Sequence, residues 1–303
     1  MTRVCFVTCR RWPEISESDR LVAEALEQRG AHVEGRAWNE PAADFGGFDA
    51  VVLRSNWDYH FDPGAFLGWL DRLERAGARI FNPPALVRWN VSKRYLIALQ
   101  AAGVPTVATA VLEDETRAGL EAIMRGRGWR ACVIKPEIGA SAHDTRLVTG
   151  DTLAEAATAI ASGAIRRPVL VQPFVQEVRT RGEWSLVLIE GSLTHSVLKQ
   201  PAAGDFRVQS HLGGTVRAEP APPGVVRAAR AALAALPEAP LYARIDAVET
   251  DAGALIMEVE VNEPGLFFTH APPAAALRFA EALLARCWPG VSGTATAADT
   301  PRD

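Results

Sequence analysis

The chain has few cysteines, and nothing in their spacing would make them act together. Cys5, Cys9, Cys132 and Cys287 are the four, and no two form a CxxC pair. A thiolate metal centre or a disulfide framework is therefore not expected, and each reads as a small buried hydrophobe. No apolar run approaches the roughly 20 residues that cross a bilayer. The start, Met1-Thr2-Arg3-Val4-Cys5-Phe6-Val7, lacks the apolar core and cleavage site of a secretory leader and reads as a short strand. No run of lysine or arginine stands out, and the net charge is −4, which argues against nucleic acid as a partner. There is no internal repeat. The expectation is a cytoplasmic enzyme acting on a small molecule, with neither a membrane nor a nucleic-acid partner.

What is present is ordinary globular material: 303 residues, 48% hydrophobic and 22% charged. That is enough for two or three domains with a sizeable core. The first part alternates strand and helix: strands over 3–8, 32–37, 48–54 and 79–81, helices over 16–29 and 62–76. This rhythm predicts an α/β unit with a small open parallel sheet. Asn82-Pro83-Pro84 and a helix over 92–102 mark the first boundary. A second α/β unit follows, with strands over 106–112, 130–135, 144–148 and 168–172 and helices over 115–126 and 151–161. A third section has strands over 183–190 and 193–199, a Gly/Pro-rich stretch over 200–224, a helix over 225–236, a hairpin, and a helix over 273–287. The expected domains are 1–90, 91–175 and 176–290, with a disordered tail over 291–303.

The hairpin carries the strongest chemical signal. Ala243-Arg244-Ile245-Asp246-Ala247-Val248 and Glu258-Val259-Glu260-Val261-Asn262-Glu263-Pro264-Gly265 flank the turn signal Asp251-Ala252-Gly253. Side chains alternate faces along a strand. A three-residue loop over 251–253 then pairs Asp246 with Glu258 and Arg244 with Glu260. One cation, three carboxylates and the Asn262 amide share one face. Ile245, Met257, Val259 and Val261 share the other and point to a core. Crowded carboxylates repel unless neutralised, and an all-oxygen set suits a hard cation such as Mg²⁺.

Three other segments add to this. In Val133-Ile134-Lys135-Pro136-Glu137-Ile138-Gly139-Ala140-Ser141-Ala142-His143-Asp144 a buried strand delivers a lysine to a loop of small residues. Small residues let backbone N–H groups approach phosphate oxygens, and the lysine supplies a point charge. It is not a Walker A loop, because it lacks the GK[ST] ending. Val169-Leu170-Val171-Gln172-Pro173-Phe174-Val175, followed by Gly182-Glu183, is an apolar strand running into an irregular linker near a carboxylate. Lys93 follows Ser92, read as the N-cap of the 92–102 helix, where a cation opposes the helix dipole. No convincing serine or cysteine nucleophile with a base partner is found.

In this order the segments resemble the ATP-grasp superfamily of carboxylate–amine ligases, nearest its glutathione synthetase and D-alanine–D-alanine ligase branch, over roughly 82–288. The resemblance implies an N-terminal open parallel α/β domain, a small central α/β lid domain and a C-terminal antiparallel sheet domain. It implies ATP and Mg²⁺, two ions, as cofactors, and an acylphosphate intermediate attacked by an amine. By resemblance, Lys93 and Lys135 contact the phosphates, and Gly139 and Ser141 belong to a mobile lid over them. Gln172, Phe174 and Val175 form the adenine hinge, and Glu183 binds ribose. Asp246, Glu260 and Asn262 match the metal pattern, and Arg244 matches the arginine that steadies the tetrahedral intermediate. Ser185 stands where the group often has an arginine, and Lys199 and Arg207 are the replacements for its charge.

Substrate identity must come from other loops. Arg54-Ser55-Asn56-Trp57-Asp58-Tyr59-His60 follows a parallel strand at its carboxyl end, where open α/β sheets bind ligands. Asn56, Trp57, Asp58, Tyr59, His60 and Gly265 are the candidate substrate contacts. Lys199, Arg207, His211 and Gly213-Gly214 are read as a carboxylate pocket. His195 reads as structural, and Phe267-Phe268 and His270 as walls of the cavity. The compact pattern also resembles cycloserine synthetases, which close the isoxazolidinone ring of cycloserine from O-ureido-D-serine. The broader alternatives are a glutathione- or dipeptide-type ligase, a phosphotransferase, and a nucleotide-binding module without ligase activity. Ligases of this size often form homo-oligomers, although no interface patch can be read.

Overall fold

The computed structural model describes residues 1–113 and 117–287. The tail over 291–303 lies outside the described residues. So does the expected start of the 115–126 helix.

Thr2–Thr8 (β1), Ala31–Ala37 (β2), Ala50–Leu53 (β3) and Ile80–Phe81 (β4) form the expected parallel sheet, in the order β2-β1-β3-β4. Glu17–Glu27 (α1) and Pro63–Arg75 (α2) cover its two faces. Ser16 accepts the Asp19 N–H to cap α1, and Asp62 accepts the Ala65 N–H at 2.9 Å to cap α2. Alternation along β1 feeds two cores: Val4 and Phe6 join Val22 and Leu26, while Cys5 and Val7 join Phe66 and Trp69. All four cysteines are free and buried, as their spacing implied.

Pro84–Val91 (α3) is a helix that starts at the boundary expected at Asn82-Pro83-Pro84. Pro84 stands at the first helical turn, where its missing N–H costs nothing. The next helix is shorter than expected, Tyr95–Ala101 (α4), and Ser92 ends α3 instead of capping α4. Lys93 therefore lies in the turn between two helices.

Ala110–Leu112 (β5), Cys132–Pro136 (β6), Arg146–Val148 (β7) and Val169–Pro173 (β8) form an antiparallel sheet ordered β5-β8-β6-β7. Arg117–Arg127 (α5) and Leu153–Ala161 (α6) pack on one face through Leu120, Met124 and Ile160. After the short Glu177–Thr180 (α7) comes a five-stranded antiparallel sheet. Its strands are Glu183–Ile189 (β9), Ser192–Gln200 (β10), Thr215–Ala218 (β11), Tyr242–Thr250 (β12) and Gly253–Glu260 (β13), ordered β11-β10-β9-β12-β13. Pro223–Ala234 (α8) covers this sheet, and Pro273–Cys287 (α9) returns to the first core, where Phe279 and Leu283 meet Val22 and Leu26.

Asn82 joins the first and last sheets. Its Nδ2 donates to the Tyr242 and Val261 carbonyls at 2.8 and 2.7 Å, and its Oδ1 accepts from Leu241 N at 2.6 Å. Asn90 does the same along β13, donating to Val259 O and accepting from Val261 N.

The hairpin has the expected cross-strand pairs, Arg244 with Glu260 and Asp246 with Glu258. It reaches them by a different route. Thr250 pairs with Gly253, so the loop is one residue shorter than read, and a bulge after Asp246 restores the register. The bulge falls at Met257, which leaves the expected core face and lines a cavity.

Candidate active site

A cavity of about 510 Å³ lies between the second and third sheets, with helix turns and the 57–59 loop at its rim. Of the chain's 32 lysines and arginines, three are lysine: Lys93, Lys135 and Lys199. All three line this cavity. That scarcity is itself a signal legible in the sequence. A compact ammonium is retained where a point charge is wanted, and arginine serves the surface.

The antiparallel hairpin sets the acidic floor. Ligand oxygens of Asp246, Glu258 and Glu260 lie within 4.8 Å of one another. Arg244 forks onto Asp246, with Nε 3.0 Å from Oδ1 and Nη2 2.9 Å from Oδ2, and also pairs with Glu260. Ser185, the departure from the usual arginine, donates to Asp246 Oδ1 at 2.5 Å. Lys199 Nζ sits 2.5 Å from Glu183 Oε1 and 3.5 Å from Asp246 Oδ1. Lys93 pairs with Glu258, which answers the conflict with the helix dipole by giving the cation a carboxylate.

Burial alone would raise the Asp246 carboxyl, but Arg244 and Lys199 overcome it and hold it at about 2. Burial pushes Glu260 up to about 7 despite Arg244, with Glu258 and Asp246 adding to the rise. Burial and then Glu260 push Glu263 up to about 8. A floor of three oxygen donors whose charges oppose one another fits a hard cation such as Mg²⁺. Lys135, at the end of β6, makes no hydrogen bond or ion pair among the described residues, and burial lowers its pKa. Its side chain lines the cavity without a partner among the described residues. Lys135→Ala is expected to weaken Mg·ATP binding by about 10- to 100-fold, the worth of one charge-assisted hydrogen bond. Titration calorimetry with a non-hydrolysable ATP analogue reads this, and unchanged affinity counts against the assignment.

The loop after Lys135 forms the roof. Ala140 O accepts from His143 N at 3.0 Å, with Ser141 at φ 53° and Ala142 at φ 55°. Positive φ at both central positions makes a tight left-handed turn in which glycine is usual. Gly139 and Ser141 line the cavity as expected, and so do Gln172, Phe174 and Val175. Gln172 is fixed by Nε2 donating to Thr109 Oγ1 at 2.9 Å. Glu183 lines it too, although Lys199 engages its carboxylate.

Several expected contacts are placed otherwise. Asn262 is engaged by the 54–60 loop: its Oδ1 accepts from Asn56 Nδ2 at 3.1 Å, and neither amide lines the cavity. Asp58 accepts from Trp38 Nε1 at 2.7 Å and Asn39 Nδ2 at 2.8 Å, which makes it a brace within the first lobe instead of a substrate contact. Trp57, Tyr59 and Gly265 do line the cavity. Lys199 is engaged by Glu183 and Asp246, and Arg207 by Asp205 at 2.8 Å, so neither holds a free charge. His195 is structural as read, bonded to Leu266 O at 2.7 Å. Phe267 faces the cavity, Phe268 enters the core, and His270 is exposed.

His60 supports the roof from behind. Its Nδ1 meets the Trp57 carbonyl at 2.9 Å, its Nε2 is buried without a partner, and its ring lies 5.3 Å from that of His143. Burial pushes its pKa down to about 4, and nearby His143 adds to this. The unfolded chain therefore binds the proton first, so stability is complete above about pH 6.5 and is lost as pH falls toward 4. His60→Asn should remove this component. Its stability deficit against the wild type, read by urea unfolding, should shrink between those pH values; a constant deficit would contradict it.

With this geometry in hand, the relatives are informative. Residues 4–82 match the family described as D-cycloserine synthetase DcsG, N-terminal domain. The cycloserine biosynthesis protein DcsG of Streptomyces lavendulae is 31% identical over 284 residues, covering 88% of this chain and 92% of that protein. The chain belongs to the DcsG family of ATP-grasp ligases. It is an ATP-dependent ligase that forms a C–N bond. The crystal structure of D-cycloserine synthetase DcsG superposes with a TM-score of 0.85 at 28% identity, over 94% of this chain and 99% of that one. D-alanine–D-alanine ligase from Bacillus anthracis shares the fold, with a TM-score of 0.71 at 16% identity over 95% and 98% of the two chains. Among the described residues, no helix is long and apolar enough to cross a membrane.

Proposed function

We propose that this ATP-grasp ligase closes the isoxazolidinone ring of D-cycloserine from O-ureido-D-serine. The observation that carries the reading is likeness to DcsG along nearly the whole chain, not merely across the nucleotide fold. A cavity of about 510 Å³ with an acidic floor and one unpartnered lysine supports it.

The substrate carboxylate attacks the γ-phosphate of ATP, giving an acylphosphate and ADP. The nitrogen bonded to oxygen in the ureidooxy group then attacks the acyl carbon, and phosphate leaves as the five-membered ring closes. The carbamoyl group remains on the ring nitrogen, and atom balance requires water to remove it as carbon dioxide and ammonia. Both early steps build charge on oxygen, so positioned cations do most of the work. Lys135 and Lys93 take the phosphates, and Arg244 meets the oxyanion of the tetrahedral intermediate. Asp246, Glu258 and Glu260 would hold Mg²⁺, two ions in this reading, with Asn262 as the further oxygen donor. Bound there, Mg²⁺ neutralises phosphate charge. The 139–144 turn keeps water from the acylphosphate. Domain limits near 90 and 175 fit this division of labour, with a cytoplasmic setting and a small amino acid as the ligand.

The test is Mg²⁺-dependent phosphate release from ATP with O-ureido-D-serine, followed by mass spectrometry. ADP with a product of cycloserine mass from that one substrate is the expected result. A joined product that needs a second amino acid overturns ring closure.

A further inference from the structure

The charges around the cavity pair off almost completely. Lys93 takes Glu258, Lys199 takes Glu183, and Arg244 takes both Asp246 and Glu260. Arg207 takes Asp205. Of the lysines, arginines, aspartates and glutamates on the cavity wall, two are left without a hydrogen bond or ion pair among the described residues, Lys135 and Glu263. Lys135 is accounted for by nucleotide phosphate. Glu263 is an acid, 8% exposed, with nothing in the protein to satisfy it.

Its backbone, by contrast, is held tightly. Trp57 Nε1 donates to the Glu263 carbonyl at 3.0 Å, Arg54 Nη2 to the Pro264 carbonyl at 2.9 Å, and Arg244 Nη1 to the Gly265 carbonyl at 3.2 Å. Three consecutive carbonyls are thus each captured by a side chain from another element. A rigid segment presents one buried carboxylate with no internal partner. That arrangement is costly unless something cationic arrives to complete it. Trp57 and Tyr59 line the same cavity, and aromatic rings favour an alkylammonium over a hydrated metal ion.

We propose that Glu263, with Trp57 and Tyr59, binds the ammonium group of the amino-acid substrate and so selects α-amino acids over their des-amino analogues. The proposal rests on the ligase reading above and places the substrate's amine against Glu263 on the cavity wall. The 54–60 loop then acts on specificity through its two aromatic residues and through Arg54, which fixes the Pro264 carbonyl.

The experiment compares O-ureido-D-serine with 3-(ureidooxy)propanoate, the same molecule without its amine, in wild type and Glu263→Gln. Wild type should prefer the amino form. Glu263→Gln should raise KM for O-ureido-D-serine by about 100-fold, the size expected when one partner of a buried charge pair is removed. KM for Mg·ATP and for the des-amino analogue should stay within about twofold. Glu263→Asp should keep the preference for the amino form. Equal losses on both substrates would mark a structural role and overturn the proposal, as would a wild type indifferent to the amine. If wild type is inert toward O-ureido-D-serine but active on another α-amino acid, ring closure fails alone, and the same comparison on that acid and its des-amino analogue decides Glu263. A protein activated by no α-amino acid overturns both.

Discussion

Glu260→Gln should lower turnover by about a thousandfold or more while leaving the protein folded. The substitution keeps shape and removes charge at the centre of the acidic floor. Glu260 touches Arg244 and sits within ligand distance of Asp246 and Glu258. Losing one preorganised charge that faces developing charge typically costs two to three powers of ten. Here the change also deprives Mg²⁺ of an oxygen anion and alters the hold on Arg244. The fold should not suffer, because Glu258 and Asp246 already oppose ionisation of Glu260 and help raise it to about 7. Stability of the variant should therefore match or exceed that of wild type in urea. Phosphate release under saturating ATP, with a Mg²⁺ titration, is the measurement. Near-normal turnover would remove Glu260 from the metal site. A collapse of both turnover and stability would show that the residue holds the sheet together and is not chiefly chemical.

The site was legible in the sequence where chemistry and strand periodicity coincide. Arg244, Asp246, Glu258 and Glu260 share a face because the period-two rule survives a compensating pair of irregularities, a shorter loop and a bulge at Met257. That compensation cannot be read from composition, since either register leaves a plausible hairpin. Lys93, Lys135 and the Gln172–Val175 segment are legible by their order along the chain, and the cavity gathers them. The 54–60 loop was only half legible. Its position after a parallel strand is a topological fact, but which of its polar groups face a ligand depends on partners far away in sequence. Trp38 and Asn39 claim Asp58, and Asn262 claims Asn56. Lys199 and Arg207 are paired with carboxylates that sequence spacing does not locate. A cation looks free in sequence until its carboxylate is located. Helix α3 was missed because Pro83-Pro84 stops a chain in one direction and starts a helix in the other.

The largest stability effect is expected at Asp19, a residue no motif pointed to. Its side chain and that of Arg54 are 3% and 2% exposed, and they meet at 2.8 Å. Arg54 Nε adds a second bond to the same oxygen at 3.0 Å, and the guanidinium lies 4.9 Å from the Tyr242 ring centre. Ser16 donates to the other Asp19 oxygen at 2.8 Å. The pair thus ties the start of α1, the end of β3 and the Pro264 carbonyl into one buried knot. Asp19→Ala leaves a guanidinium that cannot lose its proton inside the protein, and such uncompensated charges cost about 3–5 kcal/mol. The intact pair is worth much less than that, since desolvation offsets its attraction. The double replacement Asp19→Leu with Arg54→Met should therefore recover most of the loss. A urea-unfolding cycle over both singles and the double gives the coupling directly. A single-variant loss below about 1 kcal/mol, or additive losses in the double, would show that water reaches the pair and that the knot is not what anchors the 263–265 segment. If the coupling is as large as expected, Asp19→Ala should also raise KM for the amino-acid substrate at temperatures where it remains folded, because Arg54 steadies the backbone that carries Glu263.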